Sequence, residues 1–104
     1  MDYQEIYLKA IMAATSAGKE YVAKYGEDMY CGFGWVEIPD GRSPFVRWCK
    51  QNKIGSKHWK KGWQIWRPTG NCTQSMSVLE AEADAFADVL TAHGITAWAC
   101  SRAD

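Results

Sequence analysis

The sequence lacks the signals of several protein classes. No apolar run approaches the ~20 residues that a membrane span needs, and the first residues, MDYQE, are acidic and polar, unlike an export signal. The chain contains neither an internal repeat nor a low-complexity tract. We therefore expect a protein that does not engage a membrane and stays in the cytoplasm, where its four cysteines remain reduced.

Motifs for metal binding and catalysis are also missing. The four cysteines form no CxxC pair, and the two histidines, His58 and His93, lie far apart in the chain. A Cys–His nucleophilic pair would require the fold to bring distant residues together. The pair Gly32-x-Gly34 lies inside a predicted strand, where a phosphate-binding loop is not expected. We expect no metal, no cofactor and no catalytic residue, and hence a protein that is not an enzyme.

Length and composition predict one globular domain, residues 1–104. A hydrophobic content of 47% with 23% charged residues is typical of a folded protein. Six tryptophans are unusual at this size, so some of them are expected at a surface or an interface. The net charge is zero but unevenly spread, because residues 31–67 carry eight Lys/Arg against two acids. A local basic patch is therefore compatible with a neutral protein.

The predicted strand at 29–38 is the central element of the sequence. It is rich in aromatic and β-favouring residues and has no internal proline. Alternation places Phe33 and Trp35 on one face and Gly34, Val36 and Ile38 on the other. The glycine-bearing face can accept a helix close to its backbone. The aromatic face must be covered by something else.

Three helices are predicted around this strand. Apolar residues at alternating four- and three-residue steps indicate a first helix over 2–25, whose small side chains suit docking onto a sheet. Ser43-Pro44 is typical of a helix start and predicts a second helix over 44–52. Ser77 and Glu80 fit a capping box at the start of a third helix over about 76–93, with an apolar stripe. The stripe consists of Leu79, Ala83, Phe86 and Leu90.

Further strands at 63–67 and 95–102 complete the order α-β-α-β-α-β. We expect the α+β class, with a three-stranded sheet and helices mainly on one face. Connections through helices favour parallel pairing, although the short helix at 44–52 leaves an antiparallel first pair open. Aromatic and apolar residues expected in the core or in an interface are Phe33, Trp35, Trp48, Phe86, Leu90 and Trp98. Three of them, Phe33, Trp35 and Trp98, are the predicted interface of a homodimer, because large apolar faces are uncommon on monomers.

Cations and aromatic residues alternate over residues 47–67. This pattern suits single-stranded nucleic acid or a nucleotide, since cations neutralise phosphates and rings stack on bases. The alternative interpretation is a solvated lysine-rich loop whose tryptophans turn inward. The candidate binding residues are Arg47, Lys50, Lys53, Lys57, His58, Trp59, Lys60, Lys61, Trp63, Trp66 and Arg67.

Five short motifs resemble a group of small, uncharacterised phage-encoded proteins. They are CGFGWV at 31–36, FVRW at 45–48, QSM at 74–76, AFADVL at 85–90 and SRAD at 101–104. The resemblance covers residues 30–104 and implies a viral origin and the host cytoplasm, but it transfers no catalytic residue. The first functional hypothesis is therefore a non-catalytic phage accessory protein that binds a host or viral protein, for example in host takeover or counter-defence. Nucleic-acid binding through 47–67 is the alternative.

Overall fold

The computed structural model describes residues 1–28 and 30–104, which contain three helices and four strands. The helices are α1 (Tyr3–Tyr25), α2 (Pro44–Gln51) and α3 (Met76–Ala92). The strands are β1 (Gly32–Ile38), β2 (Ser56–Lys57), β3 (Trp63–Trp66) and β4 (Trp98–Ala103). The predicted α+β class is confirmed. The prediction of three strands is wrong, because β2 adds a fourth.

The missed strand, β2, is short and polar. Ser56 and Lys57 are both exposed and pair with Gln64 and Trp63 at the edge of the sheet. Two exposed residues show no alternation between apolar and polar side chains, which is the sequence signal of a half-buried strand. The β2–β3 hairpin is therefore defined by backbone pairing and not by a hydrophobic pattern.

The sheet is antiparallel throughout, in the order β2-β3-β1-β4. β1 is paired on both sides, with Trp35 opposite Trp66 of β3 and opposite Cys100 of β4. The expectation of parallel pairing is therefore wrong, and the antiparallel first pair, which the short second helix left open, is the one observed. The crossover through α2 does join two parallel strands, β1 and β2, but β3 lies between them. From β1 onward the chain follows the β-α-β-β-α-β order of the ferredoxin-like arrangement.

The hydrophobic core lies between the glycine-bearing face of β1 and α3. Val36 and Ile38 are buried there, and the whole apolar stripe predicted for the third helix is buried with them. The backbones approach closely, because a Cβ atom at Gly34 would lie 2.9 Å from main-chain atoms of Leu79. Glycine at this position allows α3 to lie directly on the central strand.

Helix α1 packs mainly on α3 and much less on the sheet. Its small buried residues, Ala10, Ala14 and Gly18, form part of the packed side, and the Tyr7 ring lies 6.0 Å from that of Phe86. The expected docking of the first helix onto the sheet is wrong, since α3 already occupies β1. No helix within the described residues has the length and apolarity required to cross a bilayer.

The start of α3 is tied to the segment before β1. Ser75, and not Ser77 as the sequence predicts, is the N-cap residue, and its hydroxyl accepts a hydrogen bond from the Val78 amide at 3.4 Å. The hydroxyls of Ser75 and Ser77 both donate to the carboxylate of Asp28. Hydrogen bonds from Ser75, and next from Ser77, lower the pKa of Asp28. The N-cap residue Ser75 and its neighbour Ser77 thus also bind the segment that precedes β1.

Candidate functional site

A basic cleft lies between the turn after β1, helix α2 and the β2–β3 hairpin. Its volume is about 610 Å³, and one carboxylate, that of Asp40, lines it together with the indole of Trp63. The cations that line the basic cleft are Arg42, Lys50, Lys57, Lys60 and Lys61. Five cations facing one carboxylate make this cleft suited to an anion.

Trp63 forms a fixed wall of the basic cleft. Its indole Nε1 donates to the Ile54 carbonyl at 2.9 Å, and its ring lies 5.4 Å from the Lys50 ammonium. Lys50 in turn donates to the Gly41 carbonyl at 3.4 Å. The hairpin passes close to the end of β1 at Gly62, where φ is +90° and a Cβ would lie 2.5 Å from the Ile38 carbonyl oxygen. Glycine is therefore required where the hairpin returns to the sheet.

The tip of the hairpin presents Trp59 to solvent. This side chain is 80% exposed, its ring stacks beside that of His58 at 5.9 Å, and the Lys60 ammonium lies 4.7 Å from its centroid. The interpretation in which the tryptophans of this segment turn inward therefore does not hold for Trp59. Because most of the side chain is exposed, the indole retains ring surface on which a base could stack.

His58 links the hairpin to Glu37, which lies on the face of β1 opposite to the core. Its Nδ1 accepts a hydrogen bond from the Lys60 amide at 3.1 Å, and its Nε2 lies 3.1 Å from Oε1 of Glu37. Because Nδ1 is an acceptor, the hydrogen between the ring and the carboxylate belongs to Nε2. The imidazole therefore holds the loop conformation that carries Trp59 and Lys60.

The face of the sheet opposite to the core carries four aromatic side chains, which we call the aromatic sheet face: Phe33, Trp35, Trp66 and Trp98. The Trp35 and Trp66 rings stack at 4.4 Å, and Phe33 meets Trp66 edge-on at 5.9 Å. Trp66 is 37% and Trp98 47% exposed. The core cluster contains none of these four residues, whereas the predicted core residues Phe86 and Leu90 are fully buried and Trp48 packs against that cluster.

Glu37 lies among these aromatic residues as an acceptor of several hydrogen bonds. The indole Nε1 atoms of Trp35 and Trp98 each donate to its carboxylate at 3.1 Å, in addition to His58. Burial acts to raise the pKa of Glu37, but hydrogen bonds from Trp35, Trp98 and Cys100, with the adjacent His58, hold it below its ordinary value. The carboxylate thus fixes the orientation of two tryptophans on the aromatic sheet face.

Cys100 is the thiol next to this histidine–carboxylate pair. Burial, and then the charge of Glu37, raise the pKa of Cys100 to about 11. An activated cysteine nucleophile has a lowered pKa. Cys100 is therefore a protonated thiol at neutral pH, and its surroundings do not match those of a nucleophilic Cys–His pair. Within residues 1–28 and 30–104, no three His, Cys, Asp or Glu side chains are grouped so that they could hold a metal ion.

The structure gathers only part of the predicted binding segment into the basic cleft. Lys50, Lys57, Lys60, Lys61 and Trp63 line it, and the hairpin tip carries His58 and Trp59 beside it. The remaining four predicted residues, Arg47, Lys53, Trp66 and Arg67, do not line the cleft.

Trp66 belongs to the aromatic sheet face, and the other three residues lie elsewhere. Two charged residues that line the cleft were not predicted. Arg47 and Lys53 are exposed on and just after α2, and the Arg67 guanidinium donates to the Asn71 and Thr73 carbonyls at 3.0 and 2.6 Å. Asp40 and Arg42 line the cleft from the turn after β1. Their turn motif, Pro-Asp-Gly, is visible in the sequence, but its proximity to the hairpin is not.

The chain matches no protein-family model, no curated protein and no solved structure. The fold and the site define the class instead: a small α+β domain of ferredoxin-like strand order, with a basic cleft and an aromatic sheet face that meet at one hairpin.

Proposed function

We propose that the protein binds single-stranded nucleic acid through the basic cleft and Trp59. The observation that carries this proposal is the convergence of five cations on one cleft directly beside an exposed tryptophan. Phosphates would occupy the cleft, and a base would stack on the Trp59 ring. A single nucleotide also carries a phosphate and a base, so it could occupy the basic cleft and Trp59 in the same way.

The distribution of charge limits where the strand can lie. Residues 1–30 carry three lysines against five acids, and residues 68–104 carry one arginine against five acids. A polyanion is therefore attracted to the basic cleft and repelled by much of the remaining surface. Because the attraction depends on a few lysines, binding should be moderate in affinity and should weaken steeply with salt.

The first test is a fluorescence-anisotropy titration of a labelled single-stranded oligonucleotide at low and at moderate salt. We expect Trp59→Ala to cost ~1–3 kcal/mol of binding free energy, the value of one base–aromatic stack. We expect the double charge reversal Lys60→Glu/Lys61→Glu to weaken binding and to flatten its salt dependence, because fewer counterions are then released.

Two variants serve as controls for this titration. Lys53→Glu makes a charge reversal at an exposed position outside the basic cleft, and Tyr25→Ala removes an exposed aromatic ring at the end of α1. Both should bind the oligonucleotide nearly as well as the wild type. Binding that is absent at both salt concentrations, or that Lys53→Glu weakens as much as the cleft variant does, would contradict the proposal.

The aromatic sheet face supports a second candidate function. We infer a non-catalytic phage accessory protein that acts in the host cytoplasm and binds a protein through Phe33, Trp35 and Trp98. Helix α1 packs on α3, which leaves Trp66 and Trp98 exposed. Large exposed apolar faces often mark interfaces, and aromatic residues are enriched in them. A second copy of the chain is the occupant that we favour, and a host or phage protein is the alternative occupant.

Light scattering tests this second candidate. We expect a mass of twice 11.7 kDa at high micromolar concentration, and a return to the monomer mass for Trp98→Glu, which places a charge on the aromatic sheet face. Trp59→Glu makes the same substitution on the hairpin tip and should leave the dimer intact. A wild-type mass of 11.7 kDa would exclude the homodimer and leave a different protein as the occupant.

A further inference from the structure

A buried carboxylate lies on the helical side of the molecule, away from the proposed nucleic-acid site. Glu82 of α3 is 2% exposed. Its Oε1 accepts a hydrogen bond from the Thr69 hydroxyl at 3.0 Å, and its Oε2 accepts one from the Asn71 amide at 3.1 Å. Both partners are neutral and belong to the loop between β3 and α3. Glu82 is thus held in place by the loop.

In the part of the chain that the structure describes, no cation forms an ion pair with this carboxylate. The described residues, 1–28 and 30–104, contain two ion pairs, Lys9–Glu5 and His58–Glu37, and neither includes Glu82. A carboxylate offers about four acceptor positions, of which these hydrogen bonds use two. A buried carboxylate without a cationic partner is costly, so Glu82 has acceptor capacity and charge that a ligand could satisfy.

Glu82 lines a cavity of about 460 Å³ between α1, α3 and the same loop. This volume lies in the range of small-molecule sites, and sites between helices are common. Gly18 lets α1 lie directly against this carboxylate, because a Cβ atom there would lie 2.6 Å from Oε2 of Glu82. Val22 and Ala23 supply an apolar wall, and Thr15 and the exposed Lys19 complete the lining.

We propose that this cavity binds a small zwitterion that carries a primary ammonium group and a short apolar chain, as an amino acid does. The ammonium would donate to the free acceptor positions of Glu82, and the apolar chain would contact Val22 and Ala23. Lys19 would pair with the anionic group of the ligand. The proposal is independent of nucleic-acid binding, because the cavity shares no lining residue with the basic cleft.

The test is an NMR titration of the full chain that follows the backbone amides of Gly18 and Asn71, which both line the cavity. The probes are norvaline, n-butylammonium and butyrate, which share a short alkyl chain and differ in charge. We expect norvaline to shift both amides with half-saturation on the order of 1–10 mM, butylammonium to bind more weakly, and butyrate to give no shift.

Variants of Glu82 and Lys19 test whether ligand binding requires their charges. We expect Glu82→Gln to weaken norvaline binding at least ~10-fold, while Glu80→Gln, which removes a carboxylate from the same helix outside the cavity, has no effect. Lys19→Ala should remove the preference for norvaline over butylammonium. If Glu82→Gln fails to fold, Thr15→Leu fills the cavity from α1 without changing a charge and should abolish the shifts.

Three results would overturn the proposal: no shift of Gly18 with either ammonium probe, equal shifts with butyrate, or unchanged binding by folded Glu82→Gln. Because the readout involves no nucleic acid, failure here leaves the basic-cleft proposal standing, and failure there leaves this one standing.

Discussion

Replacing Phe86 with alanine should lower the free energy of unfolding by about 3–5 kcal/mol. The ring is fully buried in α3, 6.0 Å from the ring of Tyr7, and it contributes to the core between α3 and β1. Removing it deletes apolar contacts and leaves a cavity that the surrounding helices cannot close completely. For a domain whose total stability is about 5–15 kcal/mol, this loss is a large fraction. Urea unfolding followed by tryptophan fluorescence measures it.

Met12→Ala is the matched control for Phe86→Ala. Met12 also lies on a helix but is 69% exposed, so its loss should change the free energy of unfolding by less than about 0.5 kcal/mol. An unchanged urea midpoint for Phe86→Ala would show that α3 does not dock on the sheet through this ring.

Glu37→Gln should have the second large effect, a loss of about 1–3 kcal/mol at neutral pH. Glutamine keeps the size of the side chain but removes the charge, and in either orientation its NH2 group would face the indole N–H of Trp35 or of Trp98. Two donors would then point at each other on the aromatic sheet face. Urea unfolding at pH 7 measures the loss.

The effect of Glu37→Gln should depend on pH. The pKa of Glu37 is lowered in the folded protein from its ordinary value of 4.5, so the carboxylate contributes stability above that value and loses the contribution as pH falls through the folded pKa. The difference between wild type and variant should therefore shrink as the pH falls below 4.5. Glu20→Gln, at an exposed position on α1, should show no such difference. A constant difference across this range would exclude the charge of Glu37 as its cause.

The helices could be predicted from the sequence because their signals are local. The spacing of Leu79, Ala83, Phe86 and Leu90 predicts both the extent and the buried side of α3, and Ser43-Pro44 predicts the start of α2. The direction of strand pairing could not be predicted in this way. It depends on β3 inserting between β1 and β2, which no local pattern specifies.

The candidate sites were predictable only where residues are close in sequence. The lysines around Trp59 are visible as a segment, whereas Glu37 gains its role from Trp35, His58 and Trp98, which come from different strands and a loop. Glu82 likewise depends on a loop that precedes its helix. A single acid within a strand or helix has no sequence signal that distinguishes it from a solvated one.

The position of β1 in the sheet also determines when the protein can fold during synthesis. Both strands that pair with β1 follow it in the chain, and the last of them ends at Ala103. A nascent chain that has reached Trp66 can form the β1–β3 pair but leaves the other edge of β1 open, and α1 has no α3 on which to pack. At about 5–20 residues per second, that edge stays unpaired for seconds on the ribosome. Unpaired edges invite association with other chains, so the interval before β4 emerges is the period in which this chain is most exposed to aggregation.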